Sequence, residues 1–269
     1  MFRIAGVLLA LSGVCIGGPF VLYDGAQPGS PASQGSLILG NTGGTETVNA
    51  GSTNLNTTGS NSTYAGYSNY NFGVTFVPSF DIFPTTLVNP AFPSLDRTNG
   101  FTVHLTMQLL SESHSGNPSR AGFSLIALGN DQKGIELGFQ DGNIFAQSDN
   151  PLFVAAENTA ATTNQFRSYD LYVMGNTYSL YSGNSLLLSG AVRDYSAQPG
   201  FASSVYRTSN MIFAGDDTTS AQANTNLAFL AVETTVPEPG APIGLVLLLG
   251  AMFYARRFAP RSATSFSKN

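Results

Sequence analysis

Two carboxylates stand side by side at Asp216 and Asp217, between Gly215 and Thr218. Adjacent carboxylates on a loop, with hydroxyl and carbonyl oxygens close by, suit a hard cation such as Ca2+. The same residues also suit an Asx-type turn between strands, as do Asp131 and Asp141. The histidines, His104 and His114, are separated and form no His-x-x-x-His pair, a poor set for zinc. A serine nucleophile lacks the Gly-x-Ser-x-Gly elbow that would expose it. Tyrosines offer a different chemistry. Aromatic faces stack on the C–H surfaces of sugars, and neighbouring polar side chains fix the hydroxyls. Tyr64, Tyr67, Tyr70 and Tyr195, read as loop residues among Asn and Asp, are the candidates for glycan contact. Packing with one wet end is the alternative role for each.

The elements that would position these groups are strands. In Phe101 to Leu109 the odd positions are Phe, Val, Leu, Met and Leu, and the even ones Thr, His, Thr and Gln. A period of two with one apolar face is a half-buried strand. Ile135, Leu137 and Phe139 repeat it, Asp141-Gly142-Asn143 turns, and Ile144 and Ala146 return. Tyr169, Leu171 and Val173 run to Gly175-Asn176; Tyr178 and Leu180 run to Gly183-Asn184; Leu186 to Leu188 follow. Met211 to Ala214 and Leu227 to Val232 complete the set. Thr42 to Asn61 reads as two edge strands with their loops, anchored by Leu55. Only Pro151 to Thr163 approaches a helical pattern, and its β-branched and small polar residues argue against one. Short strands with frequent turn signals predict an all-β sandwich or jelly roll.

Phe101 to Ala127, Gly134-Ile-Glu-Leu-Gly-Phe139 with its hairpin, and Tyr169 to Gly190 together resemble the laminin-G / concanavalin A-like jelly roll, an antiparallel β-sandwich. The resemblance implies carbohydrate or protein binding in many relatives and glycan hydrolysis in others. Glucanases of that kind carry carboxylates at alternate positions of one strand, which sets them on one face of the glycosidic bond. Here Glu136 is followed by Gly138 and Gln140 where further carboxylates would stand. One Glu cannot serve as both acid and nucleophile. Glu136 is therefore expected to be a solvated or hydrogen-bonded residue on the polar face, and the strand non-catalytic.

Both ends carry address signals. Arg3 is the only charge before Asp24, and an apolar run from Ile4 to Ile16 leads to Gly17 and Gly18. That is a secretory signal peptide pattern over 1–18. Val14 before Cys15 breaks the lipobox pattern. At the other end come Val236-Pro237-Glu238-Pro239, an apolar run from Gly240 to Ala255, and Arg256-Arg257. Prolines stop a helix from running through, and paired arginines mark the cytoplasmic side. An apolar run of that length spans about 24 Å, somewhat short of a ~30 Å hydrocarbon core. The order resembles a PEP-CTERM sorting signal, which implies an exosortase-type processing enzyme as partner, an inner-membrane intermediate, and release to the cell surface or matrix. Phe258 to Asn269 extend past the arginines, further than such signals usually do. A permanent anchor is the alternative. The domains read as signal peptide 1–18, β-sandwich 19–233, linker 234–239, transmembrane helix and arginines 240–257, and cytoplasmic tail 258–269.

Residues 19–239 hold six basic and sixteen acidic side chains, a net of −10. That balance argues against nucleic acid, whose phosphates require a basic face. With Cys15 the single cysteine, the mature body relies on its core rather than on disulfides. The expectation is an exported surface or matrix protein without enzymatic activity, with exopolysaccharide as its candidate glycan ligand. Alternatives are a divergent jelly-roll glycan hydrolase and a membrane-anchored structural protein.

Overall fold

Strands that alternate along one face need a second layer to bury that face, and the chain supplies it from its own sequence. The computed structural model describes residues 18–71, 86–115, 117–197 and 205–234. All belong to the unit Met1–Thr235. The expected signal peptide apart from Gly18, the residues Val236, Pro237, Glu238, Pro239, Arg256 and Arg257, and the segments 240–257 and 258–269 lie outside the described residues. Among the described residues no helix is long and apolar enough to cross a membrane.

The first strands are β1 (Phe20–Asp24), β2 (Ile38–Asn41), β3 (Thr45–Asn49), β4 (Ser52–Asn56), β5 (Ala65–Ser68), β6 (Tyr70–Asn71) and β7 (Thr86–Leu87). Then come β8 (Phe101–Ser113), β9 (Ser124–Leu128), β10 (Gly134–Gln140), β11 (Asn143–Asp149) and β12 (Leu152–Ala160). The last are β13 (Arg167–Met174), β14 (Thr177–Ser182), β15 (Ser185–Ala191), β16 (Met211–Asp216) and β17 (Gln222–Thr234). Short 3-10 helices occupy Pro31–Gln34, Tyr195–Ala197 and Val205–Arg207.

The strands form two main antiparallel sheets. An eight-stranded sheet runs β15-β14-β13-β8-β17-β4-β3, with β1 also on β17; a seven-stranded sheet runs β12-β11-β10-β9-β16-β5-β2. The all-β expectation holds, and Leu152–Ala160, where the sequence argued only against a helix, is a strand. Thr42 to Asn61 contains the β3–β4 hairpin, with Leu55 buried and β3 at the sheet edge. The hairpin after β13 turns at Gly175, φ +58°, a left-handed conformation that glycine adopts without penalty.

Between the sheets lies the main core, filled by inward residues such as Val103, Leu105, Met107, Leu137, Phe139, Tyr169, Leu171 and Leu180. One feature departs from the alternation rule. β9, β10 and β16 are buried on both faces. A second cluster of Ile126, Leu128, Met211, Phe213, Tyr195, Val205 and Tyr206 covers their outer side. Residues expected on a wet face, Glu136 among them, therefore lie inside.

Candidate functional site

On the eight-stranded sheet the outer face stays open. Leu171, Val173 and Leu180 point into the core, so period two sends Tyr172, Ser179 and Tyr181 outward. Tyr172 pairs with Ser179 and Asp170 with Tyr181, which makes the two tyrosines diagonal neighbours. Their ring centroids are 5.5 Å apart at 87°, an edge-to-face contact that fixes both rings. Tyr172 remains 47% exposed. With Ser179, Gly183 and Asn184 the rings line an open depression of about 450 Å3.

Polar groups adjoin the rings. Asp170 lies directly across from His104 on β8, and His104 across from Ala231 on β17. His104 Nδ1 is 2.7 Å from Asp170 Oδ1, and its Nε2 is 3.3 Å from Glu233 Oε2. All three side chains are partly exposed. Farther along β8, Thr106 Oγ1 and Ser168 Oγ are 2.8 Å apart. This face combines an aromatic surface with carboxylates and hydroxyls, the equipment for holding a sugar.

The seven-stranded sheet holds a second polar group, and it is closed. Glu136 is fully buried, not solvated as its position in the alternation suggested, because Tyr195 and Tyr206 cover that face. Ser124 Oγ donates to Glu136 Oε1 at 3.2 Å, and Tyr206 OH donates to Glu136 Oε2. Tyr206 OH also lies 3.3 Å from Asp217 Oδ2. Arg120 places Nη1 3.8 Å from Glu136 and Nη2 3.5 Å from Asp217, with its guanidinium 4.2 Å above the Phe153 ring. These ion pairs are longer than hydrogen bonds, and Arg120 Nη1 and Asp217 Oδ1, both buried, make no hydrogen bond. Arg120 Nε also donates to Thr218 Oγ1 at 3.1 Å, so hydrogen bonds and charge together hold the cluster. Burial pushes the Glu136 carboxyl up to about 7, the Asp217 charge adds to the rise, and Arg120 opposes it.

The candidates from sequence scatter. Asp216 and Asp217 do not converge on a shared point. Asp216 accepts from Thr57 Oγ1 at 2.6 Å and from the Thr218 N–H at 3.1 Å, and burial raises it to about 8. Asp217 faces Arg120, which already supplies the cation. No group of three or more His, Cys, Asp or Glu among the described residues is placed to hold a metal. The donor set does not fit a Ca2+ shell of six to eight oxygens.

Tyr67 is not a loop residue: it lies on β5, is 1% exposed in the core, and donates to Glu46 Oε1 at 2.8 Å. Tyr195 is fully buried and donates to Gln147 O at 3.0 Å while accepting from the Glu136 N–H. Neither can stack on a sugar in this conformation. Tyr64 and Tyr70 are half-buried against the second cluster, and Tyr70 OH donates to Ser209 O at 2.9 Å. Of the histidines, His104 joins the open face and His114 pairs with Glu112 at 2.7 Å. Sequence reasoning missed Tyr172, Tyr181 and Asp170. Their outward phase, and the register that the two-residue turn Gly175-Asn176 imposes on the hairpin, were both available; the pairing of β13 with β8, which brings His104 to Asp170, was not.

No protein-family model matches the chain, and no curated protein is similar to it. Among solved structures it is similar to a carbohydrate esterase of the Shiga toxin-encoding bacteriophage phi24B. That likeness has TM-score 0.50 and 11% identity, and covers 81% of this chain and 100% of that chain. It is similar also to a sialidase, at TM-score 0.46 and 10% identity over 81% of this chain and 18% of that one. A third is the cellulose-induced protein Cip1, at TM-score 0.41 and 11% identity over 76% and 93%. The first likeness shows the fold, a β-sandwich of the jelly-roll kind.

Proposed function

We propose that this chain is an exported, non-enzymatic β-sandwich that binds glycans on the open face of its eight-stranded sheet. The observation that carries the reading is the edge-to-face pair Tyr172–Tyr181, lining an open depression next to Asp170 and His104. The exposed rings offer a stacking surface for the C–H face of a sugar, and flanking carboxylates accept hydrogen bonds from sugar hydroxyls. The similar fold of a carbohydrate esterase agrees with a glycan as the ligand class. A glycan microarray probed with the wild type and with Tyr172→Ala tests it. Binding to at least one glycan, lost in the variant, supports the reading; no binding anywhere overturns it.

The C-terminal segment completes the proposal. Val236-Pro237-Glu238-Pro239, the apolar run and Arg256-Arg257 act as a PEP-CTERM signal, so an exosortase-type enzyme cuts near the motif and the body reaches the cell surface or matrix, where exopolysaccharide is the natural ligand. A permanent anchor is the competing fate. A hydrolase reading would make Glu136, beside Asp217, its general acid, although Tyr195 and Tyr206 cover that carboxyl in this conformation. Turnover of a glycan that disappears in Glu136→Gln would establish it over the binding reading.

A further inference from the structure

The open face does not end at the tyrosines. Outward-phase side chains continue along β8 as Thr102, His104, Thr106 and Gln108; Thr102 is buried at 7% exposure, level with Tyr172 and Glu233, and the other three are half-buried with polar groups level with them on the neighbouring strands. Thr102 is level with Tyr172, His104 with Asp170, and Thr106 with Ser168. Gln108 is level with Asn226 on β17, and Asn226 with Asn54 on β4. The far end is a row of amides. Asn226 Nδ2 donates to Gln108 Oε1 at 3.1 Å, Asn54 Nδ2 to Asn226 Oδ1 at 3.0 Å and to Asn224 Oδ1 at 2.6 Å. Gln108, Asn54, Asn224 and Asn226 are half-buried. Asn54 Nδ2 also lies 3.4 Å from Thr225 O, and Gln108 Nε2 donates to Asn164 O at 3.0 Å, so the row offers a ligand its amide lone pairs and the second N–H groups of Gln108 and Asn226.

We infer that this face is a track for the interior of a linear, neutral polysaccharide, with the tyrosines at one end and the amide row at the other. Thr102 to Gln108 covers about 20 Å at ~3.3 Å per residue, the length of several sugars rather than one. Rings at one end supply stacking, and amides and hydroxyls along the rest supply the paired donors and acceptors that sugar hydroxyls need. The charge on the face selects against a polyanion: Asp170 and Glu233 are carboxylates, and the residues named along the track include no Lys or Arg. The inference rests on reading Tyr172 and Tyr181 as a glycan platform and adds the ligand's length, charge and orientation.

Calorimetric titration with glucan, mannan and galactan oligomers, from disaccharide to hexasaccharide, tests it on the wild type, Tyr172→Ala, Asn54→Ala and Gln108→Ala. Thermal melts of each variant confirm folding. We expect at least one ladder in which affinity rises about tenfold or more with length. Asn54→Ala and Gln108→Ala should remove the gain and leave the disaccharide unchanged, while Tyr172→Ala weakens every member. Length-independent affinity, or folded amide variants that bind the hexasaccharide like the wild type, overturns the track and leaves the platform standing. Binding of uronic-acid oligomers in preference to all three ladders also overturns it. Failure of every oligomer to bind overturns both.

Discussion

Arg120 is the residue on which the buried polar cluster depends. It offsets two carboxylates that water cannot reach, and it does so through ion pairs of 3.5 and 3.8 Å. Removing one partner of such a group leaves an uncompensated charge in a low dielectric. Arg120→Met should therefore lower stability by about 3–5 kcal/mol, read from the urea midpoint at neutral pH. Two buried carboxyls, Glu136 and Asp216, set the pH dependence. Their ordinary values are 4.5 and 3.8, and in the folded chain burial raises Glu136 to about 7 and Asp216 to about 8. Across that window the native state holds more protons than the unfolded chain, so stability falls as pH rises. Asp131, held low by its hydrogen bond from Arg97, acts only at more acid pH. The urea midpoint should be higher at about pH 5 than at about pH 8, and Glu136→Gln should shrink the difference. A midpoint that climbs over the same range would contradict the assignment.

At the scale of elements, Gly138 shows why the strand that carries Glu136 has no second carboxylate. A Cβ placed at Gly138 would lie 2.3 Å from the Phe145 ring, which packs across β10 from β11. Gly138→Ala should cost about 1–3 kcal/mol of overpacking strain, measurable as a drop in melting temperature. Gln140 is occupied too, donating to Pro118 O at 2.9 Å and Arg120 O at 2.7 Å. The strands themselves were legible. Alternation located β8, β10, β13, β14 and β17, and Gly142, Gly175 and Gly183 located their turns. The cover over β9, β10 and β16 was not legible, because Tyr195, Val205 and Tyr206 come from short 3-10 segments with no periodicity of their own. For the same reason Tyr195 read as an open loop residue when it is a buried one. The Tyr172–Tyr181 pair follows from the two-residue turn at Gly175-Asn176, whereas the pairing of β13 with β8 that sets Asp170 against His104 joins segments far apart in sequence and was not legible.

At the scale of the whole molecule, one sheet is covered by its own loops and the other is left open along much of its outer face. The sorting proposal belongs here as well. Mass spectrometry of both ends of the exported protein, with and without the host exosortase, should find residues 240–269 removed only when the enzyme is present. Their retention in both strains would favour the permanent anchor. The central claim, that the open tyrosine face is what this body is for, is tested most directly by affinity electrophoresis through gels containing neutral linear polysaccharides. Wild type would be compared with a folded Tyr172→Ala, Tyr181→Ala double variant. We predict retardation of the wild type in at least one polysaccharide, with affinity lower by about tenfold or more, about 1.4 kcal/mol, in the variant. Equal retardation of the two proteins, or none in any gel, would contradict it.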